Sequence, residues 1–307
     1  MRNPKNLLTL SVLSLLLALP LVLTARSFDR THERSCSGKR KIRLITYNVT
    51  NGFDRMHDTN RMERLSVWLK GIDSDITAFQ ELDGFTSQSF REFAKSWGHH
   101  HVLLSKEDGT SPLGVTSRFP ITLVKYLEEG FYYGLLHVRC RTLNLLITHL
   151  NPKSWEARLK EAEKIVQYAQ TIGNSRIVLL GDLNALSPVD ANYMENAGTD
   201  IKLEHVRSSN LLYGREFDYS AVSKLLSLPL CDLTYRYVPE GERITWPSPL
   251  VKKFPSSPHA QKRYGCRLDF IMGNVDVYKH TADSFIFNRD GTDYLSEHYP
   301  VAVDLWY

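Results

Sequence analysis

The sequence predicts an α/β fold, and three observations carry that reading. Short apolar runs of strand length alternate with amphipathic stretches of helix length. Polar groups repeatedly stand where an apolar run ends: Tyr47-Asn48, Gln80-Glu81, Thr148-His149, Gly181-Asp182-Leu183-Asn184 and Glu297-His298, with Arg267-Leu268-Asp269-Phe270 completing the set. Charged residues at 23% and apolar residues at 42% are ordinary for a globular protein, and no low-complexity tract or internal repeat interrupts the 307 residues.

The elements follow in order. A strand is expected at Ile42–Tyr47 and a helix near Asn60–Gly71, with Met62, Leu65, Trp68 and Leu69 on one face. A strand at Ile76–Gln80 precedes a helix near Thr86–Trp97. Extended segments are read at His101–Leu104, Leu113–Thr116, Thr122–Tyr126, Leu135–Arg139 and Leu143–Thr148. Trp155–Ile172 is amphipathic, with Leu159, Ala162, Ile165, Val166 and Ala169 spaced for burial. Ile177–Leu180, Thr234–Arg236, Leu268–Met272 and Val301–Trp306 read as strands, Ser187-Pro188-Val189-Asp190 as a helix start and Tyr219–Leu226 as a helix.

The first residues stand apart. Arg2 and Lys5 precede a nearly unbroken apolar stretch from Leu7 to Ala25, which reads as a secretory signal cut after Ala25. The alternative is a membrane anchor with the main domain outside the cytosol, since the stretch approaches the ~20 residues that span a bilayer. Residues 26–40 then form a linker and 41–307 the main domain. Cleavage removes two positive charges and no negative ones, so the net charge falls from +4 to +2. That balance is too small to steer nucleic acid by field alone. Local clusters do exist at Lys39-Arg40-Lys41 and at Lys252, Lys253, Lys262, Arg263 and Arg267; the second offers Arg267 as a substrate-phosphate contact. Four cysteines (Cys36, Cys140, Cys231, Cys266) in an exported chain lead us to expect one or two disulfides, with no Cys-x-x-Cys spacing for zinc. The sequon Asn48-Val49-Thr50 sits at a strand end and is expected to stay unmodified.

Two histidine features read as structural. Consecutive His99-His100-His101 alternate faces on a strand and are expected at the surface or in a connector. His137 lies in an apolar strand and is expected to be a packed core residue. The strand-end groups point to chemistry instead. Hard oxygen donors beside two histidines suit a divalent cation and attack on a phosphate ester. Asp182 and Asn184, two apart, would face the same way on an extended segment. His298 with Asp269 has the makings of an imidazole–carboxylate pair.

In order and wording, these six segments resemble the endonuclease/exonuclease/phosphatase superfamily of deoxyribonuclease-I-like enzymes, from about Lys41 to Tyr307. The resemblance implies a two-layer β-sandwich flanked by helices, a four-layer α/β/β/α arrangement. It implies that Glu81 ligates magnesium, with manganese or calcium as alternatives, and that Asn48 and Glu297 contribute to the metal's shell. It places Asp182 and Asn184 at the attacking water and the phosphate, His149 at the scissile phosphate, and the His298–Asp269 pair beside them. One position departs from the family pattern: Ser296-Glu297-His298 stands where Ser-Asp-His is usual, which moves a carboxylate one methylene further out.

The resemblance covers several substrates. Ala185-Leu186-Ser187-Pro188 replaces the aromatic–basic pair usual in the inositol phosphatases, and the leader disfavours the intracellular deadenylases. No long apolar hairpin suited to a bilayer is seen, so a nuclease-like phosphodiesterase is favoured over a sphingomyelinase-like one. A non-catalytic binding or matrix protein on the same scaffold is the reading from another class. The expected partner is a phosphate-ester substrate, nucleic acid or phospholipid, met by a monomer without an obligate protein partner.

Overall fold

The computed structural model describes residues 40–107, 109–173, 175–197, 211–214, 216–227, 230–252, 264–289 and 291–307. The leader, Cys36, Lys39, Lys253, Lys262 and Arg263 lie outside the described residues. No helix among the described residues is long and apolar enough to cross a membrane.

Strands β1 (Lys41–Asn48), β2 (Ile76–Gln80), β3 (His101–Leu104) and β4 (Gly114–Ser117) open the chain. Then come β5 (Ile121–Leu127), β6 (Leu135–Cys140), β7 (Leu143–His149) and β8 (Arg176–Asp182). A two-stranded ribbon, β9 (Leu212–Tyr213) with β10 (Glu216–Phe217), precedes β11 (Leu230–Asp232), β12 (Asp269–Asn274), β13 (Thr281–Ile286) and β14 (Val301–Trp306). Two mixed six-stranded sheets result, one ordered β13-β14-β1-β2-β4-β3 and the other β11-β12-β8-β7-β6-β5.

Both faces of the central strands are covered, which is why they read as continuous apolar runs rather than alternating ones. Between the sheets, Leu44, Ala78, Val115 and Val303 meet Val138, Leu145, Ile147, Val178, Leu180 and Ile271. On the outer side of the first sheet, Ile45 and Phe79 pack against Leu65 and Leu69 of α1 (Thr59–Gly71) and Phe90 and Ala94 of α2 (Ser87–Lys95). On the outer side of the second, Leu146, Leu179 and Phe270 pack against Ala162, Ile165 and Ala169 of α3 (Trp155–Ile172). The α/β/β/α layering of the sequence reading is therefore present. Helix starts are set by side-chain oxygens that satisfy first-turn N–H groups: Asp58 accepts from Arg61, Thr86 and Ser89 form a capping box, and Ser154 accepts from Ala157.

Several expectations are corrected. Thr234–Arg236 is a turn, and the strand pairing with β12 is Leu230–Asp232, a few residues earlier. The Thr234 N–H and hydroxyl both donate to Asp232 Oδ1, at 2.9 and 2.7 Å, which bends the chain out of the sheet there. Cys140, Cys231 and Cys266 are free thiols, so the disulfides expected among the cysteines do not join any of these three. His99 lies in the connector before β3, one of the two places expected, but is fully buried, its ring nitrogens facing Thr116 Oγ1 and the Ser74 carbonyl, both at 2.8 Å. Burial lowers its pKa to about 4, so it serves as a neutral bridge between loop and strand. His137 is the packed core histidine expected, held by Tyr168 and Asn144.

Candidate active site

Strand register alone lays out the site. β1 and β2 run parallel, pairing Asn48 with Gln80 at their ends. β7 and β8 run parallel, pairing His149 with Asp182, and β12 starts antiparallel to β8 with Asp269 opposite Asp182. Three adjacent strands thus contribute one row, His149–Asp182–Asp269. β14 runs antiparallel to β1, so Glu297 and His298, just before it, arrive at the same edge as Asn48. Both sheets present their site residues at one rim of the sandwich, where the strands end, with Asn48, His149, Asp182, Asp269 and His298 all buried there.

The hub is one oxygen. Asp182 Oδ2 accepts from Asn48 Nδ2 at 3.0 Å and lies 3.4 Å from His149 Nε2 and 3.7 Å from His298 Nε2. Asn48 donates its second amide hydrogen to Glu81 Oε1 at 2.9 Å, while its own oxygen accepts from the Thr50 N–H. Asn48 therefore spaces the two carboxylates, and its fully buried side chain leaves the sequon closed. His298 Nδ1 bonds Asp269 Oδ2 at 2.9 Å. Burial alone would lower the His298 pKa, but the charges of Asp269 and Asp182 outweigh it and raise it to about 10. Burial raises Asp269 to about 6 against the pull of the His298 cation. Between those values the pair is imidazolium and carboxylate.

Local backbone explains how these groups reach the rim. After Asn48 the chain makes a short left-handed helix: Thr50–Arg55 all have φ between +50° and +59°. Such residues cost roughly 1–2 kcal/mol each outside glycine. Phe53, buried against Phe85 and Phe93, and hydrogen bonds from Thr50 N–H to Asn48 and Asn51 N–H to Glu81 Oε2 offset that cost. Gly52 is required, because a Cβ there would stand 2.0 Å from the Asp83 carbonyl oxygen. Glu81 itself has φ +61°, which turns its carboxylate back toward Asn48. Gly181 before the hub is equally constrained: a Cβ would lie 1.9 Å from the Thr148 carbonyl oxygen.

Two predicted placements change. Asp182 and Asn184 do not share a face of an extended segment, because β8 ends at Asp182 and Asn184 has φ +46°. Instead the Asn184 N–H donates to Asp182 Oδ1 at 2.8 Å and its amide to the Leu150 carbonyl at 3.0 Å, a side-chain turn that fixes the hub. Arg267 does not face substrate. It is 2% exposed, with its guanidinium against Asp190 at 2.6 Å and Asp232 at 2.7 Å, over the Phe270 ring. As the first residue of its motif it is drawn to these buried acids rather than to the rim that Asp269 faces, and it anchors the strand. Glu297 is partly buried; its N–H donates to Thr50 Oγ1 at 3.1 Å and its charge acts on Arg61.

The sequence reading missed three residues. Tyr133 stacks on His149 at 4.3 Å between ring centres; nothing in its local pattern signals this. Thr245 Oγ1 accepts from the N–H groups of Leu268 and Asp269, and Ser248 bonds the Ser296 carbonyl, so the 245–248 segment braces both ends of the His298–Asp269 pair. Aromatic residues before a strand and small hydroxyls in a loop carry no periodic signal.

The donor set fits a hard divalent cation. Glu81, Asp182 and Asp269 are three acids facing one imidazolium, an excess of negative charge where an anionic ester would have to sit. Each Glu81 oxygen accepts one of the hydrogen bonds above and keeps a lone pair. Donor atoms of Asp182, Asp269 and His298 also lie within 4.8 Å of one another. The His298 cation is a poor ligand in that trio, which leaves Glu81, with a lone pair free on each oxygen, as the better-suited metal carboxylate.

A family model described as the Endonuclease/Exonuclease/phosphatase family matches residues 45–293. The chain belongs to that family. Solved structures agree on the fold. An AP endonuclease from Archaeoglobus fulgidus superposes with TM-score 0.65 at 18% identity, covering 85% of this chain and 98% of that one. The 3'-5' exonuclease NExo from Neisseria meningitidis gives 0.62 at 19%, covering 87% and 100%. A variant of NExo from Neisseria, described as a 3' phosphatase bound to a product DNA hairpin, gives 0.62 at 18%, covering 86% and 99%. No curated protein matches the sequence. As a member of the family the chain is of phosphoesterase type, and the family match stops short of Ser296-Glu297-His298, which the fold nevertheless brings to the site.

Proposed function

We propose that this chain is a divalent-metal-dependent phosphodiesterase that cleaves nucleic acid. One observation carries the reading: Asp182 Oδ2 stands within 3.0–3.7 Å of Asn48, His149 and His298, with Glu81 held beside it through Asn48. The same rim thus holds a proton acceptor, proton donors and a metal carboxylate. The names of the structural neighbours, an AP endonuclease, a 3'-5' exonuclease and a 3' phosphatase bound to a product DNA hairpin, support the choice of substrate.

Each group has a task. Asp182, its Oδ1 fixed by the Asn184 N–H, accepts the proton of the attacking water at Oδ2. His298 keeps a proton on Nε2, oriented and charged by Asp269, and donates it to a phosphate oxygen. His149, stacked on Tyr133, presents Nε2 to the same space. Glu81 would hold magnesium, and manganese or calcium suit the same oxygen donors. When bound, the ion would supply positive charge to the phosphate and the leaving oxygen. Residues 1–25 make export part of the proposal.

The test offers purified full-length protein DNA, RNA, sphingomyelin and bis-p-nitrophenyl phosphate, with magnesium and with chelator. Nucleic acid and the synthetic diester should be hydrolysed with magnesium only. Calorimetric titration of magnesium should give heat with wild type and none with Glu81→Gln. Sphingomyelin as the only substrate would overturn the nuclease reading. Hydrolysis undiminished in chelator would overturn the metal.

A further inference from the structure

Beside His149 the surface is built of rings. Tyr133, stacked on His149, meets Tyr132 edge-on at 4.7 Å between ring centres. Lys153 places Nζ 5.3 Å from the Tyr132 ring centre. Tyr132 is 42% exposed, and Lys153 is exposed beside it. The row runs from the site's histidine to solvent as ring, ring and cation.

The row is held in place from beneath. Glu161 of α3, buried at 3% exposure, accepts the Tyr132 N–H on Oε1 at 2.6 Å and the Asn151 N–H on Oε2 at 2.7 Å. Asn151 Oδ1 in turn accepts the Lys153 N–H at 2.7 Å. One buried carboxylate therefore ties the loop carrying Tyr132 to the loop carrying Lys153. Two residues on, Trp155 carries Tyr213 edge-on at 5.0 Å, and Tyr213 is 64% exposed.

We propose that Tyr132 and Lys153 form a subsite for single-stranded nucleic acid, Tyr132 stacking the base beside the scissile phosphate and Lys153 taking the neighbouring phosphate. This rests on the nuclease reading and narrows it. A flat ring joined to the catalytic histidine through one other ring suits an unpaired base, whose face is open to stacking; a base inside a duplex has no free face to offer. The ammonium over Tyr132 selects an anionic neighbour. On binding, the long Lys153 side chain moves from ring to phosphate and the base takes its place on the ring.

The test uses the full-length chain with magnesium, comparing kcat/KM on bis-p-nitrophenyl phosphate with that on an oligothymidylate strand. Stacking of one base is worth about tenfold to a hundredfold in binding. Tyr132→Ala should therefore lose at least about tenfold more on the oligonucleotide than on the base-free diester, while Tyr132→Phe keeps the wild-type ratio. Lys153→Gln should flatten the dependence of log kcat/KM on log salt by about 0.7, one phosphate contact to a single strand. Fluorescence anisotropy of the same strand in chelator reads binding without turnover, and Tyr132→Ala should weaken it at least about fivefold. A strand cut and bound equally well by wild type and Tyr132→Ala overturns the subsite and leaves the nuclease reading standing. Equal losses on both substrates, with Tyr132→Phe no better than Tyr132→Ala, make Tyr132 a structural residue and also overturn it. A wild type that neither binds nor cuts the strand overturns both readings.

Discussion

Replacing Arg267 by Met should destabilise the fold severely while leaving the chemistry of the surviving folded protein largely intact. The side chain is buried between Asp190 and Asp232, and Asp190 also pairs with Arg243 at 2.9 Å, so two arginines and two aspartates alternate in a neutral chain. Burial alone would raise the Asp232 pKa, yet the Arg267 charge holds it below the ordinary aspartate value. Methionine fills similar volume but leaves the buried Asp232 without its arginine and Asp190 with Arg243 alone. Removing one partner of a buried pair costs about 3–5 kcal/mol. For a domain of this size each kcal/mol moves Tm by roughly 2–4 °C, so a fall on the order of 6–20 °C is expected. Thermal unfolding followed by circular dichroism at pH 7 measures it. The sign with pH follows from Asp232: a depressed folded pKa contributes stability above the unfolded value and loses it as pH falls, so the wild-type advantage should shrink in acid. A Tm within about 2 °C of wild type together with a raised KM for a phosphodiester would return Arg267 to the substrate side and refute this reasoning.

Three further outcomes follow from the site. The His298 ring should stay protonated through pH 8 by NMR and titrate lower in Asp269→Asn; because its folded pKa of about 10 lies above the unfolded value near 6.5, its stabilisation is present below the latter and lost as pH rises through the former. A wild-type ring titrating near 6.5 contradicts the pair. Glu297→Asp should change turnover of a diester by less than about tenfold, since charge is kept and a magnesium shell has adjustable waters; an inactive wild type rescued by this change favours the binding-scaffold reading. Gly52→Ala sets a Cβ against backbone at positive φ and should cost about 2–4 kcal/mol by denaturant unfolding, where a loss under ~0.5 kcal/mol would mean the left-handed helix can yield.

The strands that build the rim were legible because both their faces are buried, so β1, β2, β7, β8 and β12 each appear as apolar runs ended by a polar group. Trp155–Ile172 was legible because its buried face recurs at helical spacing. The left-handed helix at Thr50–Arg55 was not, since it depends on Phe53 packing into a distant aromatic cluster rather than on local propensity. Asn184 was misread for a related reason: pattern gives alternation along a strand but not the residue at which the strand stops. Arg267 was misread because a basic residue beside a motif looks the same whether its partners are phosphates or buried carboxylates. β13 and the helix Val275–Lys279 escaped notice because their mixed polar sequence has no clear period.

The central claim is that the groups gathered around Asp182 Oδ2 perform phosphodiester hydrolysis. Its most direct measurement is turnover of bis-p-nitrophenyl phosphate with magnesium by wild type and Asp182→Asn in parallel, with Tm recorded for both. Asparagine keeps the size of the hub but cannot accept the proton of water, and such a group contributes about 10²–10⁴-fold. Wild type should turn over only with the metal, and Asp182→Asn should fall by at least about 10²-fold with its fold intact. Turnover by Asp182→Asn within about threefold of wild type would contradict the account.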